Sequence, residues 1–107
     1  MKINNIDGQL VKDNETYILK DNTSLKNLVV SSTTLHPGKS TTGHKHPGKE
    51  EVYMIMSGTG TMELDDKKFD IQGGEMVLID DGVFHRVHNT GDIDLYMVCI
   101  FDGERNH

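Results

Sequence analysis

Hydrophobic and polar residues alternate in short runs along this chain, at 17–19, 28–35, 51–57, 61–64, 67–71, 76–79, 84–89 and 93–101, and these runs are rich in β-branched and aromatic side chains. No window of helical length carries apolar residues at three-and-four spacing without a glycine or a cluster of turn residues breaking it. Between the runs stand Pro37-Gly38, Pro47-Gly48, Gly58-Thr59-Gly60, Asp65-Asp66, Gly73-Gly74, Asp81-Gly82 and the stretch from Asn89 to Asp92, a punctuation recurring roughly every ten residues. The pattern predicts an all-β sandwich or barrel, a single domain over 1–107 with no linker. His-Pro-Gly occurs at His36 and again at His46, which we read as turn chemistry used twice.

The run that begins at Glu51 is apolar on both faces. Alternation sets Glu51, Tyr53, Ile55 and Ser57 on one side and Val52, Met54 and Met56 on the other. In a curled sheet one side lines the interior, so the apolar outer side needs a second sheet or a partner chain over it. A homodimer is the expected cover.

Composition narrows the function. The chain has 107 residues, 35% of them apolar and 26% charged, with 11 Lys plus Arg against 17 Asp plus Glu for a net charge of -6. That balance argues against a surface built to neutralise nucleic-acid phosphates or anionic lipid. The single cysteine, Cys99, has no partner in the chain for a disulfide, which suits a reducing compartment. No apolar stretch approaches the ~20 residues of a membrane helix, and the start, Met1 to Asn5, lacks the apolar region of a signal peptide. The cytoplasm is the expected location.

Chemistry concentrates in the segment from Gly38 to Glu51. His44 and His46 are two apart, so on extended chain their rings project to one face and can grip one ion. Pro47 and Gly48 then reverse the chain, which brings the Glu51 carboxylate back beside the imidazoles. His85, after the turn at Asp80-Asp81-Gly82, offers a fourth ligand. Six histidines in 107 residues would fill three prescribed positions by chance on the order of once in several thousand trials.

These residues resemble the cupin superfamily, in its small single-domain form. Gly38, His44, His46, Glu51 and Gly58 fit the first cupin motif at every fixed position; Gly74, Gly82, His85 and Asn89 fit the second, with Asp80 where the family usually has proline. The two motifs cover 38–89, about half the chain. The resemblance implies a double-stranded β-helix, or jelly-roll, barrel with the metal held by His44, His46, Glu51 and His85. Imidazole and carboxylate together suit several divalent transition metals; Fe and Mn are the ions we favour, and Zn, Ni, Co and Cu also fit. Four protein ligands on an octahedral ion leave two positions for water or substrate.

Other residues have plainer readings. Glu50 shares its alternation class with Val52, Met54 and Met56, so Glu51 is the expected ligand. His88, three past His85, should point to the opposite side, and His36 and His107 also stand outside the site. Cys99 reads as a small buried hydrophobe and the methionines as core or interface filler. Tyr53, on the Glu51 face, and Glu63, by parity with Thr61, are the titratable strand residues with a case for reaching the interior, and so the candidate catalytic groups. Lys45 and Arg86 alternate with the ligands and Lys39 and Lys49 lie in turns, which leaves no inward cation and disfavours phosphorylated substrates. The expected partner is a small polar metabolite. Three functions compete: Lewis-acid chemistry such as sugar isomerisation or epimerisation, as the resemblance suggests; an iron-dependent dioxygenase; and a binding module without turnover.

Overall fold

The computed structural model describes residues 1–103; His107 lies outside the described residues. Nine strands are found among them: β1 (Gln9–Asp13), β2 (Tyr17–Asn22), β3 (Leu28–Leu35), β4 (Glu51–Ser57), β5 (Thr59–Leu64), β6 (Lys67–Gln72), β7 (Met76–Ile79), β8 (His85–His88) and β9 (Leu95–Asp102). They form a six-stranded sheet in the order β1-β2-β3-β9-β4-β7 and a three-stranded sheet in the order β6-β5-β8. All pairings are antiparallel. Consecutive strands such as β4 and β5 lie in different sheets, as the double-stranded β-helix requires. Among the described residues no helix is long and apolar enough to cross a membrane.

Alternation decides what each strand buries. On β4, Glu51, Tyr53 and Ile55 are buried while Val52, Met54 and Met56 are half-buried. Leu35, Ile55, Met62, Val87, Leu95 and Met97 are completely or almost completely removed from solvent, and they fill the space between the sheets. Burying side chains of this size stabilises the fold by roughly 1.5–3 kcal/mol each. Towards one end this core gives way to Tyr53, Ile79 and Cys99, which belong to the core and also line a cavity.

β1 was not expected from the sequence. All five of its residues are exposed, so it buries no face that could generate an alternating pattern; its edge pairing with β2 holds it. Gly58, between β4 and β5, has φ +94°, and a Cβ there would stand 2.7 Å from the Asp94 carbonyl oxygen, so this position admits only glycine without backbone movement.

Candidate metal centre

Residues 36–50, between β3 and β4, carry His44 and His46 and contain no buried residue. Hydrophobic burial therefore does not order this loop; hydrogen bonds to β8 do. Gly38 donates to the Asn89 carbonyl, Asn89 to Lys39, Thr41 to Val87, and His44 and His85 exchange both backbone bonds at 3.0–3.1 Å. Asn89 is itself pinned, its side-chain amide donating to the carbonyls of Leu35 and Ile93. Gly43 passes directly beneath the Phe84 ring, where a Cβ would stand 2.1 Å from the nearest ring atom. The loop thus runs along β8 as an extra, irregular strand, which brings His44 opposite His85.

β8 is positioned from the other side by the β5–β6 turn. Asp65 donates its N–H to the Phe84 carbonyl and accepts the Phe84 N–H on its side chain. Asp80, which replaces the family's proline, accepts the Asp81 N–H, and Val83 closes the turn onto the Asp80 carbonyl. Asp81 in turn accepts the Gly48 N–H, tying the turn before His85 to the turn after His46. Its role was missed because nothing in the sequence distinguishes it from any other turn aspartate.

Three imidazoles converge. Ring centroids are 5.1 Å apart for His44–His46, 5.2 Å for His44–His85 and 5.5 Å for His46–His85. One ring nitrogen from each lies within 4.8 Å of the others. Buried Glu51 stands beside them, with a carboxylate oxygen 3.5 Å from His85 Nε2.

His85 shows whether these residues fit a metal. Its Nδ1–H donates to the Val83 carbonyl at 3.2 Å, which leaves Nε2 as the unprotonated nitrogen of the neutral ring. That Nε2 is buried and has no hydrogen-bond partner, a state that costs about 1–3 kcal/mol unless something else satisfies the lone pair. A ring held by Nδ1 to a carbonyl, with Nε2 presented to other donor groups, is how a metal-ligating histidine is prepared. Burial, opposed by the Val83 hydrogen bond and helped by nearby His46, pushes the His85 pKa below the usual 6.5, which keeps the ring neutral. The donor set fits a divalent cation.

The cavity around this cluster has a volume of about 540 Å³, ample for a small metabolite. Tyr53 and Cys99 form part of its wall, and the Tyr53 ring lies edge-on to His85 at 5.7 Å. Two expectations are corrected here. Glu63 does not reach the cavity: Met62, fully buried, takes the core side of β5, so Glu63 and Thr61 face outwards. There Glu63 accepts a hydrogen bond from His88, which holds its carboxyl below the usual range. Cations also stand at the cavity. Arg86 does point away and binds the Thr41 carbonyl, but Lys12, Lys45 and Lys49 all line the cavity. These lysines stand on the unexpected β1 and on the 36–50 loop, so an anionic ligand is not disfavoured.

With fold and site in view, the chain belongs to the cupin family: the cupin-domain family profile matches residues 31–101. Among its relatives is an uncharacterised protein of Methanocaldococcus jannaschii, 30% identical over 94 residues, covering 78% of this chain and 75% of the relative. An oxalate-binding protein of Thermotoga maritima is 36% identical over 66 residues, 62% of this chain and 54% of that protein, so the match spans about half its length. The crystal structure of a predicted oxalate decarboxylase from Thermotoga maritima superposes with a TM-score of 0.75 at 28% identity, covering 80% of this chain and 79% of that one.

Proposed function

We propose that this cupin is a metal-dependent enzyme acting on a small polar metabolite by Lewis-acid chemistry of the isomerase or epimerase type. His44, His46 and His85, with Glu51 beside them, are the residues that hold the ion. One observation carries the reading: the buried Nε2 of His85, which makes no hydrogen bond, lies beside Glu51 and two other imidazoles at a cavity large enough for a ligand. A divalent cation bound there supplies polarisation of hydroxyl and carbonyl oxygens. Tyr53 lines the cavity, and we assign it the role of holding or passing a proton to a bound molecule. Iron, the ion of the dioxygenase alternative, uses the same residues.

A second reading, binding of a small chelating acid without turnover, has support of its own. Lys12, Lys45 and Lys49 offset Glu50, Glu51 and Asp80 around the cavity, so a bound divalent cation leaves the site net positive inside a chain of charge -6. The relative named as an oxalate-binding protein points the same way. The test is metal analysis of the purified chain, followed by thermal-shift and turnover screens with sugars and small carboxylic acids, with and without O₂. Product formed anaerobically supports the isomerase reading; ligand-induced stabilisation without product supports binding; O₂ consumption with product would replace both with an oxygenase.

We also infer a homodimer. The outer face of the six-stranded sheet carries Met76 and Leu78 on edge strand β7, 63% and 72% exposed, paired across to Met54 and Val52. An apolar face of this kind on a strand edge is best covered by a second copy. The reading carries a cytoplasmic setting with it, in which the buried thiol of Cys99 stays reduced.

A further inference from the structure

On the outer face of the smaller sheet, behind the cavity, three polar side chains from three separate segments form one hydrogen-bonded chain. Glu63 on β5 accepts from His88 Nε2 on β8, and His88 Nδ1 meets the Ser40 hydroxyl at 2.6 Å. His88 and Glu63 are each about one-quarter exposed, and Ser40 is half-buried. None of the three lines the cavity. Ser40 lies four residues before His44, at the point where the loop first meets β8.

We propose that Glu63, His88 and Ser40 are positioning residues that hold the start of the 36–50 loop against β8, so that His44 and His46 arrive opposite His85. The proposal rests on the metal-site reading given above. Its physical basis is the loop's lack of any buried residue. A segment with no hydrophobic anchor is ordered only as far as its hydrogen bonds reach, and each residue they fix costs conformational entropy. The local bonds at Thr41 and His44 join the loop to β8 alone. The Ser40–His88–Glu63 chain continues through β8 to β5, and so couples the loop to the strand that buries Met62 in the core.

The chemistry of the chain suits a fixed support. In neutral His88, Nε2–H donates to Glu63 and Nδ1 accepts from the serine; in the protonated ring, Nδ1–H donates to the serine oxygen instead. A hydroxyl serves as donor or acceptor, so both bonds survive either state. Arg86 and Lys68 lie close enough to Glu63 to favour its charged form. A carboxylate behind the ring also polarises the His88–Ser40 bond, strengthening the chain as a unit.

The test compares wild type with Ser40→Ala, His88→Ala and Glu63→Ala, and with the conservative variants Ser40→Thr and Glu63→Gln, which retain a hydroxyl and an acceptor oxygen. Two readouts are taken: Mn²⁺ affinity by titration calorimetry, and amide hydrogen exchange in the metal-free protein. The alanine variants should bind Mn²⁺ about tenfold or more weakly, the scale expected of residues supporting metal ligands. They should also exchange the Thr41 and His44 amides at least several-fold faster, with the Thr33 and Met97 amides of the large sheet unchanged. Ser40→Thr and Glu63→Gln should recover most of both effects. Mn²⁺ affinities within twofold of wild type together with unchanged loop exchange would overturn the proposal, as would acceleration spread equally over the large sheet. If wild type binds no Mn²⁺, the metal-site reading falls, and the exchange comparison still decides whether the chain orders the loop.

Discussion

Replacing His85 with leucine should separate two free energies that coincide in the wild-type protein. The ring's Nε2 is buried without a hydrogen-bond partner, and removing such an atom returns about 1–3 kcal/mol. The same substitution forfeits the Nδ1–H bond to the Val83 carbonyl, worth about 1 kcal/mol. The metal-free variant should therefore lie within about 2 kcal/mol of wild type, on the stable side if the orphan nitrogen dominates. With a metal the order reverses. A ligand at a thousand times its Kd stabilises the folded state by about 4 kcal/mol, and at about 4–8 °C per kcal/mol for a domain of this size the wild-type Tm should rise by about 16 °C or more. His85→Leu should show little of that rise. The assay is differential scanning calorimetry of both proteins, metal-free and with excess Mn²⁺. The reasoning is refuted if the metal-free variant loses more than about 3 kcal/mol, which would make the imidazole a structural element, or if it keeps the full metal-induced shift.

Acid should weaken the metal-free protein: burial holds the folded-state pKa of His85 below 6.5, so below that pH the unfolded chain takes up a proton that the folded chain refuses. Urea midpoints should fall as pH is lowered through 6.5 and level off once the folded state also protonates; a midpoint that rises on acidification contradicts this. Met62→Ala, in the fully buried position on β5, should cost about 2–5 kcal/mol by chemical denaturation while leaving metal stoichiometry unchanged. Met76→Lys with Leu78→Lys should yield a monomer by light scattering from a wild-type dimer, and a wild type already monomeric at high concentration would remove the basis for the dimer. If the site takes a small chelating acid, as the second reading proposes, replacing Lys12, Lys45 and Lys49 together with glutamine should weaken binding of the probe oxalate to the Mn²⁺-loaded protein at least tenfold without changing Mn²⁺ affinity, as calorimetry would show; unchanged oxalate affinity would remove that reading.

Three strands with one buried face were legible to the residue, while the bounds of β5, β8 and β9 differ from the expected runs by one or two residues at an end. β3, β4 and β7 begin and end where the alternating pattern places them, because each turns every second side chain into the core. β1 was illegible for the converse reason, since a strand held only by its ladder bonds leaves no mark on the hydrophobic pattern. The period of two correctly put Thr61 and Glu63 on one face, yet parity alone does not say which face is inside; Met62 decides that, and it decides against Glu63. His44, His46, Glu51 and His85 could be singled out because local spacing and a known motif describe them. The Ser40–His88–Glu63 chain could not, because its members are separated by up to 48 residues and meet only through sheet pairing. The lysines at the cavity were missed because β1, which carries Lys12, was not expected, and because strand alternation does not hold for Lys45 and Lys49 on the irregular 36–50 loop.

The most direct measurement of the central claim is the metal content of the purified chain, determined alongside a variant with His44, His46 and His85 all changed to alanine. The account predicts close to one divalent transition-metal ion per wild-type chain, restored by Mn²⁺ or Fe²⁺ after chelation, and none retained by the triple variant. A wild type that takes up no ion under saturating conditions, or a triple variant that retains it, would contradict the account.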